Sequence, residues 1–178
     1  MGKIFLSHSK EDKEILDYFL KAFGLAGVQA RAVEFEYFPP PPWKYIKDEM
    51  TSSDAFFLLL GPNVIDRGIY TQNWISFETG LACQLRKEIW VFEQFGITVR
   101  FPVPYLDNYV LYDPENREHL DYIRNIIEAY RVIPVIRNFP LAYARVTCPN
   151  ERCKITFNLC TEIQEFECPS CRQVMKFL

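Results

Sequence analysis

Long apolar runs are missing from this chain of 178 residues. The longest, residues 55–60 (AFFLLL), is far too short to cross a bilayer. The opening MGKIFLSHS lacks the basic-then-apolar layout of a secretion signal, and Ser7 stands one place beyond the lipid-anchor pattern that would follow Gly2. Positive charge is not in excess: 20 Lys+Arg against 23 Asp+Glu gives −3, which offers no bulk attraction for nucleic acid or an anionic membrane. There is no internal repeat. The expectation is a soluble, cytoplasmic protein with neither membrane nor nucleic acid as a natural partner.

What the chain does have is apolar material for a core, 49% hydrophobic and 16% aromatic residues, enough for one ordinary domain and a small appendage. Residues 3–6 read as a strand that ends in Ser7-His8-Ser9. Ser9, with Asp12 three places on, reads as the cap of a helix carrying Ile15, Leu16, Phe19, Leu20 and Phe23, which stops near Gly24 or Gly27. A strand–polar turn–helix opening is a place where a phosphate can sit, though an ordinary cap accounts for it as well. His8 is equally open between packing and chemistry. Residues 28–33 are a second strand. After them, EFEYFPPPPW (34–43) is a stiff aromatic loop whose prolines cannot join a sheet ladder, either a connector or a cover over a cleft. A short helix over 43–52, a fully apolar strand at 55–60, another around IWVF at 88–93, an irregular stretch at 95–104, a strand at 109–112 and a helix over 116–130 follow. Strands alternating with helices predict an α/β fold, a flavodoxin-like parallel sheet covered on both faces, with ligands beyond the carboxyl ends of its strands.

The rest is organised around residues 73–86, NWISFETGLACQLR. At about 100° per residue, Trp74, Ile75, Phe77, Leu81, Ala82 and Leu85 gather on one arc, and Glu78 falls inside it. Its helical neighbours Trp74, Ile75, Leu81 and Ala82 offer no basic partner. A carboxylate there is costly to bury unless it is hydrogen-bonded or borders a cleft. The alternatives are a catalytic carboxylate and a glutamate at the stripe's edge reaching water or a distant arginine.

KIFLSHS, the proline-bearing loop, SSDAFFLLL and the W-x-x-x-E run Trp74 to Glu78 together resemble a TIR (Toll/interleukin-receptor) domain of the NAD-cleaving type, over roughly residues 1–130. The resemblance implies Glu78 as the catalytic glutamate, Trp74 shaping its pocket, and Ser7, His8 and Ser9 lining the cleft. It also implies NAD as substrate, self-association into a homo-oligomer through TIR contacts, and a role in microbial immune signalling. The chemistry is consistent with this. Breaking the nicotinamide–ribose bond passes through an oxocarbenium-like state that one carboxylate can stabilise, and the pyridinium departs neutral without a general acid. Water as acceptor gives ADP-ribose, an internal oxygen a cyclic product. Two other readings stand beside it: a non-catalytic TIR adaptor acting by self-association, and a nucleoside deoxyribosyltransferase-like enzyme that sets a helix glutamate against a ribose.

Five of the six cysteines lie in the last 31 residues. Cys148-x4-Cys153 and Cys168-x2-Cys171 resemble a zinc ribbon holding one Zn²⁺ through four thiolates, with Cys160 as an alternative ligand and disulfides as the competing reading. The expected layout is a TIR-like domain at 1–133, a linker at 134–145 and a zinc-ribbon-like unit at 146–178. From residue 141 onward five Lys/Arg face four Asp/Glu, so a structural role or a docked protein partner is favoured over nucleic acid.

Overall fold

The computed structural model describes residues 2–33, 43–66, 69–97, 108–131 and 139–177, except for the side chains of 65, 66, 69 and 70. Residues 34–42 of the proline-bearing loop, residues 98–104 of the irregular stretch and residues 134–138 of the expected linker lie outside the described residues.

In chain order the elements are β1 (Lys3–Ser7), α1 (Lys13–Ala26), β2 (Gln29–Ala32), α2 (Trp43–Thr51), β3 (Ala55–Leu60), α3 (Asn63–Asp66), α4 (Ile69–Gln84), β4 (Glu88–Gln94), β5 (Asn108–Tyr112) and α5 (Arg117–Ala129). They are followed by β6 (Ala144–Thr147), β7 (Thr156–Leu159), β8 (Glu165–Glu167) and β9 (Val174–Lys176). The sheet runs β2-β1-β3-β4-β5-β7-β6, and β1 to β5 are parallel. The order 2-1-3-4-5 is that of the flavodoxin-like doubly wound sheet, with its switch point between β1 and β3.

β3 is buried along its whole length because helices cover both faces. On one face Phe56, Leu58 and Leu60 pack with Ile46 and Met50 of α2 and Ile75 and Ala82 of α4. On the other Phe57 and Leu59 meet Phe19 and Phe23 of α1 and Ile123 and Ile127 of α5. Helix α1 ends where Gly27 takes the left-handed conformation, φ +66°, and its N–H bonds back to the carbonyl of Gly24. Among the described residues no helix is long and apolar enough to cross a membrane.

Three expectations change. Asp12, not Ser9, stands at the N-cap position of α1. Ser9 instead folds the preceding turn, its carbonyl accepting from Asp12 N–H and its hydroxyl from Glu11 N–H. Helix α4 begins at Ile69, ahead of the run at 73–86 that was read as helix, and its buried stripe is Ile75, Glu78, Thr79 and Ala82 rather than the broad arc, with Phe77 facing out at 45% exposure. That stripe is the i, i+3, i+4, i+7 row that a single helix face allows.

The tail also attaches more closely than a linker-joined unit would. β7 pairs parallel with β5 and antiparallel with β6, so both strands extend the main sheet. Cys148, Phe157, Phe166 and Cys168 belong to the same core cluster as Phe56 and Ile75. Only β8 and β9 form a separate two-stranded ribbon.

Candidate active site and metal centre

Ser7 closes β1 at the carboxyl end of the sheet, on the face that α4 covers. Glu78, on the inward stripe of α4, comes down onto it. The Ser7 hydroxyl donates to Glu78 Oε2 at 2.5 Å, and both residues are buried, Glu78 at 5% exposure. Burial raises the Glu78 carboxyl from the ordinary 4.5 to about 8, and the Ser7 hydrogen bond pulls the other way. A carboxyl poised there is shared between acid and base forms near neutral pH, the condition typical of reacting groups. Thr79, also buried, donates its hydroxyl to the Ile75 carbonyl within the helix at 2.7 Å.

The other expected cleft residues are placed differently. Trp74, one turn before Glu78, is partly buried and meets Phe77 edge to face at 5.7 Å between centroids. His8 Nδ1 lies 3.5 Å from the Leu6 carbonyl, and Ser9 is buried in its turn. The structure therefore joins Ser7 to Glu78 directly, while Ser9 serves the turn that carries Ser7.

Two constellations escaped the sequence reading. The first is Asp12, whose Oδ1 accepts from Asn63 N–H at 3.0 Å and from the Asn63 side-chain amide at 2.8 Å, tying the turn after β1 to the start of α3 across the switch point. Gly61 lies flat against that carboxylate, and a Cβ there would overlap it. Gly61→Ala is expected to lower stability by about 1–3 kcal/mol, the usual cost of overpacking a fixed neighbour, read from the denaturation midpoint.

The second is Glu93, near the end of β4. Arg172 clamps it with two hydrogen bonds, Nη1 to Oε1 at 3.0 Å and Nη2 to Oε2 at 3.3 Å, with side-chain exposures of 11% and 2%. Burial pushes the Glu93 carboxyl up and the guanidinium opposes it. The pair is separated by 79 residues in sequence, so no local pattern announces it.

Cys148, Cys153, Cys168 and Cys171 converge, with all four sulfurs within 4.8 Å of one another. Cys148 and Cys171 are 3.5 Å apart at Sγ, Cys153 and Cys168 3.8 Å. Tetrahedral thiolates at the usual Zn–S length stand about 3.8 Å apart, so the donor set fits a metal such as zinc, and all four cysteines are free thiols. The two knuckles are alike despite their spacing. In each the residue after the second cysteine, Lys154 or Arg172, takes a positive φ (49° and 61°), and its N–H bonds back, to the carbonyl of Asn150 or Cys168. Cys160 is outside the cluster, buried, its thiol pointing to the Asn158 carbonyl at 3.5 Å.

The fold and site define a mostly parallel α/β protein with a buried, serine-bonded glutamate at the carboxyl end of its sheet and four converging cysteines joined to the same core. No family model matches the chain, and no curated protein matches it by sequence. Among solved structures it is similar to the CMP N-glycosidase BcmB of Clostridium botulinum, at 16% identity and a TM-score of 0.48 over 68% of this chain and 97% of that one.

Proposed function

We propose that the protein cleaves an N-glycosidic bond to ribose, with NAD as the first substrate to test, and that Glu78 is the reacting carboxylate. The observation that supports this best is the burial of Glu78 against Ser7 at the carboxyl end of the sheet, where ligands of doubly wound folds bind. The carboxylate would stabilise the ribosyl cation as the bond to nicotinamide lengthens, and low dielectric around it makes that interaction strong. The ring is cationic in NAD, so it leaves neutral and needs no proton. Ser7 would hold Glu78 in the rotamer that faces the sugar and favour its charged form. Trp74 and His8 are assigned to the walls of the cleft by the W-x-x-x-E and KIFLSHS resemblance to NAD-cleaving TIR domains. The four cysteines would hold Zn²⁺ as a structural ion, since four thiolates leave it no open position.

The raised Glu78 carboxyl favours one second reading. A deoxyribosyltransferase-like enzyme would use the same glutamate against the ribose of a neutral nucleoside. Incubation of the metal-loaded protein with NAD and, separately, with deoxynucleosides distinguishes the two. Free nicotinamide with ADP-ribose or its cyclic form is expected from NAD. Free base from deoxynucleosides alone would move the assignment to the second reading. No release from either, at protein concentrations high enough for self-association, would leave the adaptor reading.

A further inference from the structure

A cavity of about 310 Å³ opens between the carboxyl ends of β4 and β5 and the β8–β9 ribbon. Its lining includes the Glu93–Arg172 pair and Tyr109, with Glu93 and Tyr109 each 1% exposed. Phe95, Ile97 and Phe166 supply apolar surface, and Phe95, at 53% exposure, is open to solvent. Core and ribbon otherwise pack together through Cys148, Phe157, Cys168 and Met175. The cavity is open on the Phe95 side and has the anatomy of a ligand site: apolar walls with a few convergent polar groups.

The chemistry of the lining narrows the ligand. Phe95, open to solvent, offers a ring face to a planar ligand. Of the three carboxylates in the lining, Glu93 is taken up by the Arg172 guanidinium and Glu165 pairs with Lys176 at 2.7 Å on the outside of the ribbon, which leaves Glu167 to accept from a ligand. A carboxylate acceptor suits a ring that carries amino and ring N–H donors, and its negative charge disfavours a phosphate. Arg172 follows Cys171, and its backbone N–H is tied to the Cys168 carbonyl at 2.9 Å, so the knuckle that would hold the metal also sets the wall. The turn after β4 is shaped by Gly96, at φ +84°, which carries the chain from Phe95 to Ile97 around the rim.

We infer that this cavity is a binding site for an uncharged, amino-bearing nucleobase or its nucleoside, separate from the Ser7–Glu78 pair. It lacks both of those residues, so it can bind whether or not Glu78 reacts.

The test is calorimetric titration of the full, zinc-loaded chain with adenosine and guanosine, with thymidine, which has no exocyclic amino group, and adenosine 5′-monophosphate as controls. Adenosine or guanosine is expected to bind at least about tenfold more tightly than either control. Phe95→Ala is expected to weaken that binding about tenfold or more, the usual worth of one aromatic–base stack. Glu167→Gln should weaken it too, while Glu78→Gln leaves it unchanged. Phe95 is half-exposed, so its loss should not threaten the fold, and a melting curve checks that. No binding of either purine nucleoside at millimolar concentration would overturn the inference. So would equal binding of thymidine or the monophosphate, binding indifferent to Phe95→Ala, or binding abolished by Glu78→Gln. If nucleosides bind as expected while NAD and deoxynucleosides stay intact, the catalytic reading fails and the cavity assignment stands.

Discussion

Glu78→Gln is expected to lower N-glycosidic cleavage by about two orders of magnitude or more, while the protein stays folded and melts at a higher temperature. The amide keeps the shape of the carboxyl and can still accept from the Ser7 hydroxyl, so the contact between β1 and α4 survives. What it loses is the charge that would meet the ribosyl cation. The stability gain has a definite pH dependence. The folded protein holds the Glu78 proton to about 8, against 4.5 ordinarily, so between those values the unfolded chain has released a proton that the folded chain keeps. Wild-type stability therefore falls as pH rises through that window, and the loss is complete above it. The Gln variant does not share this loss, so its advantage should grow from pH 4.5 to 8 and then level off. A glutamate that served only to hold the fold through a charged partner would behave in the opposite way, with the Gln variant melting early and any activity intact.

Removing the metal is expected to lower the melting temperature of the whole chain by about 10 °C or more, not merely to loosen its end. The purified protein should carry about one equivalent of zinc by elemental analysis. Four thiols within 4.8 Å lose their common centre when it is chelated. Two of them, Cys148 and Cys168, lie in the main core. Arg172, held by the second knuckle, would then release Glu93, and an uncompensated buried carboxylate costs about 3–5 kcal/mol. β7 pairs with β5, so the disturbance enters the sheet directly. Cys168→Ser should act as the chelator does. If the tail were an independent appendage, chelation would abolish a small transition and leave the main one where it was. A protein that lacks zinc and shows titratable disulfides would remove the metal assignment.

The legible parts of this molecule are those whose cause is local. Residues 55–60 could be read as a strand buried on both faces because six apolar residues in a row fit nothing else between two turns. Glu78 stood out because its helical neighbours offer it no charge partner, and the structure gives it a hydroxyl from the end of β1. The cysteine pairs marked a candidate four-cysteine cluster, and the structure brings those four sulfurs within 4.8 Å of one another with Cys160 outside the group. The same local logic overreached on α4, where Phe77 joined the arc by angle alone but faces outward and meets Trp74. What stayed hidden depends on topology. Asp12 holds Asn63, and Arg172 holds Glu93, only because the sheet order brings distant turns to one end. The strand TFNL at 156–159 has nothing in its four residues that names β5 as its partner.

The most direct measurement is the pH dependence of kcat/KM for nicotinamide release from NAD, on wild type, Ser7→Ala and Glu78→Gln. Because the charged carboxylate is the working form, wild-type activity should rise with pH, reach half its plateau near 8, the value to which burial raises Glu78, and level off above it. Ser7→Ala, which removes the hydrogen bond that favours the charged form, should move that rise to higher pH. Glu78→Gln should be about a hundredfold slower or worse at the plateau, with no rise in this range. A wild-type profile that falls with pH, or a Glu78→Gln variant that releases nicotinamide at the wild-type rate, would contradict a catalytic carboxylate at position 78.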